Sequence, residues 1–255
     1  VVASESEEAI YAALDPAWIP PTLREGAGEI DAAEADRLPD LIEVEDLLGD
    51  LDRRTDRSGD SRDPLEAMVA EAAARGLAYL AITDHAEDLA INGVSRDELL
   101  RQRDELEALR PAHPGLRLLH GVELNVGPDG GLDYDAAFRR SFDWVLAGVH
   151  SHFDLDRTRQ TDRLLRAIED PAVHCIAHLT GRMLGKRPGI DLDVDAVLDA
   201  LARTDAALEI SASPARLDAS AEVLWQARDR GVASVAEIAR RLNRSDSAVA
   251  RLLKG

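Results

Sequence analysis

From about residue 46 onward, short apolar runs alternate with longer stretches in which apolar positions recur at helical spacing. The runs rich in Val, Ile and Leu fall at 77–83, 116–122, 144–149, 173–177 and 206–210, with a weaker one at 47–51. Short runs of this kind predict strands, and the amphipathic stretches at 64–75, 95–110, 158–169, 194–203 and 219–230 predict helices. Strand and helix in alternation is the pattern of a parallel sheet with helical crossovers. About six such βα units fit within one domain, 46–232, which leaves no room for eight. The punctuation agrees: Asp63 before Pro64 reads as an N-cap followed by proline at N1, and Gly76 and Gly231 suit left-handed C-terminal caps. Residues 1–45 mix short helical patterns with Pro16, Pro20, Pro21 and Pro39 and read as a lead-in. Residues 233–255 read as a tail with one helix, a turn around Asn243 and a second helix opening at Ser245 or Asp246.

Composition narrows this picture. A chain of 255 residues that is 45% apolar supports one or two globular domains rather than disorder. Its apolar runs are far shorter than the roughly 20 residues that span a bilayer, so no membrane segment is expected. A formal net charge of −19 argues against a surface that gathers nucleic acid or anionic lipid by bulk attraction. An anionic substrate would therefore need a local cation. The single cysteine, Cys175, and the absence of a basic, apolar leader point to a reducing, cytoplasmic setting. The first residue, Val1, is what a chain processed or cut from a longer one would show. No lysine precedes Lys186, which excludes a Schiff-base or bridging lysine at the earlier strand ends.

Chemistry in such folds gathers beyond the carboxyl ends of the strands. There the chain offers Asp84-His85, Glu123, His150-Ser151-His152 and His178, with Glu209 on the last run. Four successive strand ends thus present His, Glu, His and His, the neutral imidazole and carboxylate set that suits zinc, manganese or iron. His113, His120 and His174 fall in a loop or inside strands and read as structural. His152 stands open between ligand, proton shuttle and surface residue.

The stretches ITDHAEDLAINGVS, LLHGVELNVGPDGGLDY, WVLAGVHSHF, CIAHLTGRMLGKR and ALEISASPARLD closely resemble the PHP (polymerase and histidinol phosphatase) domain. The variety they resemble is the one at the carboxyl end of bacterial family X DNA polymerases, and the lead-in resembles the segment joining polymerase to PHP domain there. The resemblance implies an α/β fold, a distorted (β/α)7 barrel, here incomplete, with up to three divalent metals at its strand ends. It also implies phosphoester hydrolysis, as phosphatase or 3′–5′ exonuclease. Carried over by position, the metal ligands are His85, Glu123, His150 and His178, and Arg182 is a phosphate contact.

The departures from the family pattern are as informative. The first motif, roughly GDLHxHTxxSDG in the family, reads GDLDRRTDRSGD here, so Asp52 and Arg54 replace two histidines and Asp60 lies one place late. Arg54 has no lone pair to give a metal, though its charge can serve a phosphate; Asp52 retains oxygens, so it and His152 stand as candidates for work around a bound water. The last motif, Asp and His on a seventh strand, is absent. The resemblance therefore implies fewer than three metals, zinc or manganese, on a residual site of Glu123, His150 and His178, with activity weakened or lost.

The tail differs in sign from the body. Its five basic residues against two acids give +3, leaving −22 for residues 1–233. AEIARRLNRSDSAVARLL resembles the helix-turn-helix of sigma-like transcription factors, which implies DNA as a partner. The competing reading is a helical pair covering the open sheet edge left by the missing strand. Three functions follow: a PHP phosphoesterase acting on a phosphoester or DNA end, a DNA-binding module with the barrel as scaffold, or a silent structural domain of a longer polymerase.

Overall fold

The computed structural model describes residues 5–14, 17–24, 26, 28–38, 46–211 and 213–233. The expected helical pair at 234–255, and with it the DNA-binding reading, lies outside the described residues. The chain divides into two compact units, Val1–Leu47 and Leu48–Gly255. In the first, helix α1 (Glu7–Leu14) and helix α2 (Glu29–Glu34) are short, and Arg24 grips Glu7 through two hydrogen bonds of 2.7 and 2.9 Å.

The second unit is an α/β fold built on six parallel strands in sequence order: β1 (Gly49–Arg53), β2 (Tyr79–Ile82), β3 (Arg117–Asn125), β4 (Trp144–Gly148), β5 (Cys175–Ile176) and β6 (Ala207–Leu208). The crossovers are α3 (Leu65–Ala74), α4 (Arg96–Leu109), α5 (Ala136–Arg139), α6 (Arg157–Ile168) and α7 (Val194–Arg203), and α8 (Ala221–Asp229) follows β6. This is the expected curled, incomplete barrel. Its strands alternate strictly. Tyr79, Ala81, Leu119, Trp144, Leu146, Cys175 and Ala207 form one apolar layer on the inner face. Leu80, Ile82 and Leu118 face α3, while Val122, Leu124, Val145, Ala147, Ile176 and Leu208 face the later helices. Both faces are apolar because helices cover one and the curl of the sheet covers the other. Beyond β6 the chain returns after α8, and Leu208 N–H donates to the carbonyl of Ala233 at 3.0 Å.

Several boundaries differ from expectation. β1 begins at Gly49 rather than 47, because only glycine lets the strand pass the Tyr79 ring; a Cβ at 49 would collide with it. β5 and β6 shrink to two residues each. Helix α3 starts at Leu65 with Pro64 as its N-cap, not Asp63. The Asp63 carbonyl instead accepts from Asp56 N–H at 2.9 Å, closing the loop after β1. Ser95 makes a full capping box on α4, and Gly76 and Gly231 are left-handed as expected, each with φ of 72°. Among the described residues no helix is long and apolar enough to cross a membrane.

Candidate functional site

The inner-face alternation continues past the apolar layer and turns polar at the carboxyl ends. Ala81 is followed two and four places on by Thr83 and His85, Leu119 by Gly121 and Glu123, Leu146 by Gly148 and His150, and Ala207 by Glu209. A side-chain period of two therefore places three of the expected residues on one face without any special loop. His178 is out of phase. It takes φ of +29°, an unusual conformation for a residue with a Cβ, and this turn swings its ring into the cluster.

Glu123 is the centre of the arrangement and is fully buried. Its Oε1 lies 3.2 Å from His150 Nε2 and 3.0 Å from His178 Nε2. Its Oε2 lies 3.2 Å from His85 Nδ1 and accepts from Arg54 Nη2. The imidazoles of His85 and His150 sit 5.1 Å apart and those of His150 and His178 5.0 Å apart. Donor atoms of His85, Glu123 and His150 all fall within 4.8 Å of one another. The four residues read from the strand ends thus converge.

Arg54 enters this cluster from the end of β1. Its Nε donates to His85 Nε2 at 3.0 Å and lies 3.4 Å from Asp60 Oδ2, and its Nη1 reaches Asp52 Oδ2 at 3.3 Å. Asp52 is held in turn by Thr83 Oγ1, 2.8 Å from its Oδ1. The guanidinium is therefore surrounded by the acids of the site itself, and it takes lone pairs of His85 and Glu123 that a cation ligand set would use. Burial pushes the Glu123 carboxyl up, but Arg54 and the two imidazoles outweigh it and hold the group well below the usual carboxylate range. Burial lowers His85; for His178 burial is again the largest effect, but the hydrogen bond to Glu123 and the charges of Glu123 and Glu209 together outweigh it and raise the group. Burial also raises Asp52 and Glu209, each of which feels the other acids nearby.

On the other side of Glu123, the donor types of His150 and His178 suit a divalent ion. Tetrahedral ligands about 2.1 Å from an ion stand roughly 3.4 Å apart, close to the two Oε1 distances. The buried Nδ1 atoms of His150 and His178 have no hydrogen-bond partner, so Glu123 is the one polar group toward which these rings are turned. Asp52, Asp60, Glu123 and Glu209 against Arg54 leave the centre strongly acidic, which further favours a cation.

The remaining candidates are placed differently. His152 is exposed, with φ of 53°, and its Nδ1 meets Ser151 Oγ at 2.9 Å; it points away from the cluster's contacts and sits as a surface residue. Arg182 does not reach the cluster either. Its Nε donates to the carbonyl of Arg216 at 2.8 Å and its Nη2 to that of Leu217. Both Arg54 and Arg182 thus make side-chain contacts within the chain.

Three contributors were given no role by the sequence reading, although Asp60 and Glu209 were named in it. Asp60 reaches His85 Nε2 at 3.4 Å although it sits one place late in its motif. Glu209 accepts the backbone N–H of His178, fixing the out-of-phase turn. At Gly148 a Cβ would stand 2.7 Å from His178 Cε1 and 3.0 Å from Glu123 Oε1. A glycine ending an apolar strand was the available signal of such close approach. Beside His150 opens a cavity of about 680 Å³ lined by Leu89, Ile91, Val126 and Leu132 and by the acids Asp88 and Asp129.

The model of the PHP domain matches residues 50–213. The chain is 36% identical over 231 residues to the DNA polymerase/3′-5′ exonuclease PolX of Bacillus subtilis, covering 90% of this chain but 40% of that protein. It is 33% identical over 148 residues to a probable phosphatase of Shewanella sediminis, covering 57% of this chain and 56% of that one. It thus spans roughly half or less of the length of either relative. A solved histidinol phosphate phosphatase from Lactococcus lactis, complexed with zinc, L-histidinol and phosphate, is 21% identical with a TM-score of 0.43, covering 64% of this chain and 73% of that one. The family match spans well over half of the chain and takes in Arg54, His85, Glu123, His150 and His178 alike, so the chain belongs to the PHP domain family.

Proposed function

We propose that this chain is a phosphoester-handling PHP domain that keeps one divalent-cation position, on Glu123 Oε1 with His150 and His178, and has replaced another by the guanidinium of Arg54. The observation that carries this reading is the double engagement of Arg54 with Glu123 Oε2 and His85 Nε2. Zinc or manganese suits the remaining two imidazoles and one carboxylate. Bound there, such an ion would supply Lewis acidity toward a phosphoryl oxygen and lower the pKa of water. Within the chain, Glu123 holds both imidazoles in one orientation, Glu209 fixes the backbone at His178, and Asp52 and Asp60 hold Arg54 in place.

Phosphodiester cleavage by metal clusters uses two or more ions about 4 Å apart, stabilising the attacking and leaving oxygens together. A guanidinium supplies fixed charge without ionising water, so hydrolysis by this centre is weakened or lost while recognition of a phosphoester persists. That a polymerase/exonuclease and a probable phosphatase are among the relatives supports a phosphoester as the ligand, whether a small molecule or a DNA end.

Metal analysis of protein purified without chelator tests the reading. The expected content is about one equivalent of divalent metal in the wild type, none in His150→Ala and close to two in Arg54→His, with hydrolysis of an aryl phosphate rising at least about tenfold in Arg54→His. Metal-free wild-type protein would overturn it.

A further inference from the structure

The backbone at each histidine of the centre is held by a side chain from elsewhere in the chain. His85 N–H donates to Ser58 Oγ at 2.9 Å, and His178 N–H donates to the Glu209 carboxylate. Such holds matter most where the ring itself is loosely tied. A histidine that binds a cation is usually oriented by a hydrogen bond at its second ring nitrogen, yet the buried Nδ1 atoms of His150 and His178 have no partner among the described residues. For His150 the backbone hold falls on the two carbonyls that follow it, and it comes from helix α6.

Arg163 lies on α6 and is only 1% exposed. Its Nη1 donates to the Ser151 carbonyl at 3.1 Å and its Nη2 to the His152 carbonyl at 3.3 Å. Gln160, fully buried and three residues earlier on the same helix face, donates from Nε2 to the His152 carbonyl at 3.0 Å. In an extended strand successive carbonyls point to opposite sides. Here His152, with φ of 53°, leaves the extended region and both carbonyls meet α6. The chain is thus fastened immediately after His150.

This fastening is costly. Among the described residues Arg163 forms no ion pair, whereas elsewhere in this acidic chain arginines sit on carboxylates, as in Arg57 with Glu105, Arg96 with Asp135 and Arg139 with Asp170. Burial, and then the charge of Arg159, lower its pKa to about 10, so the group stays charged at neutral pH. Arg163 Nε and Gln160 Oε1 are also buried without a partner. An apolar side chain of similar length would fill the space on α6 with none of these penalties. It would not fix two carbonyls, and a buried charge placed at a turn points to a turn whose course matters. We propose that Arg163 is a positioning residue for His150, holding the turn at 151–152 so that the imidazole meets Glu123 Oε1 and completes the cation position with His178. The proposal rests on the cation reading of that centre. The hydrogen bonds of Arg163 go to the backbone of 151 and 152, so it acts through His150.

Two measurements on the full chain test this together: zinc titration after chelator treatment, and nitrogen NMR of the histidine rings in the zinc-free protein. In Arg163→Met, zinc is expected to bind at least about tenfold more weakly than in the wild type, with the His150 ring resonances shifted and those of His174 in place. Arg163→Lys keeps the charge but offers a single ammonium to two carbonyls, so its zinc affinity is expected to lie between the two. Wild-type zinc affinity with unmoved His150 resonances, in whichever of the two variants folds, overturns the proposal. A loss of stability with neither readout moved overturns it as well, since Arg163 would then serve packing alone. Wild-type protein that takes up no zinc would instead sink the cation reading, with the positioning role still judged by the His150 resonances of the zinc-free variants.

Discussion

The two sides of Glu123 use the same kinds of side chain and arrive at different electrostatic solutions. On the β1/β2 side, His85, Asp52 and Asp60 converge on Arg54, whose charge is permanent and whose position is set by four hydrogen-bonding or ionic contacts. On the β4/β5 side, His150 and His178 converge on Oε1 with no cationic side chain between them. The first side is complete within the chain. The second is imidazole against carboxylate, with two buried ring nitrogens that lack partners among the described residues. On the proposed reading, Arg54 is a covalently attached cation standing where the other side would take an exchangeable one.

Glu123→Gln should break this comparison most severely, because it removes the anion shared by both sides. Stability measured by urea unfolding is expected to fall by about 3 kcal/mol, even in chelator, since Arg54 is left in a mostly buried site without its main counter-ion. Bound metal should vanish as well. An unchanged unfolding midpoint would mean that Arg54 is not held by Glu123.

Acidification separates the centre from histidines elsewhere. Burial lowers His120 to about 3 and His174 to about 4. Unfolded, each titrates near 6.5, so between that pH and about 4 the unfolded chain binds more protons and stability falls as pH falls. The expected slope is up to about 1.4 kcal/mol per pH unit for each residue. Urea midpoints at pH 7 and 5 should show it, and His174→Gln should flatten it. A slope that persists unchanged in both His174→Gln and His120→Gln would place the acid sensitivity at the centre.

Gly148→Ala sharpens the contrast between the sides. The new methyl presses on His178 and Glu123 Oε1, so metal affinity should drop at least about tenfold and stability by roughly 1–3 kcal/mol. Gly59→Ala is the control on the other side, where the methyl presses on the Asn92 side-chain oxygen, 2.8 Å away, and on neither His85 nor Glu123. Equal metal loss in the two variants would contradict the assignment of the ion to the β4/β5 side. The smallest effect is expected of His152→Asn, which keeps a residue tolerant of positive φ: less than about 0.5 kcal/mol, with metal content unchanged by mass spectrometry.

Much of this was legible in the chain because the relevant signal has a short period. Apolar runs placed all six strands, and the alternation along them placed His85, Glu123 and His150 on one face. His178 was legible as a strand-end histidine, but not the positive φ that makes it useful, since that depends on Glu209 holding its N–H from another strand. Asp60 was noted one place late in its motif but given no role, because motif alignment counts residues, whereas a loop closed by Asp56 and Asp63 can deliver a carboxylate from one place later. The carbonyls that engage Arg182 lie 34 and 35 residues away, beyond any local pattern. The one-turn helix α5 carries too few residues to show a helical period.

The sheet order, each strand beside its sequence neighbour, has a consequence for how such a centre responds to substitution. Each strand end contributes side chains from its own βα unit, and the register of β2 to β5 is set by the adjacent strands. Substitutions at 52 and 54 therefore leave the positions of 123, 150 and 178 intact. Ligands in such an architecture can be exchanged one unit at a time, each loss local and survivable, so intermediate forms with one cation fewer remain folded proteins open to new use.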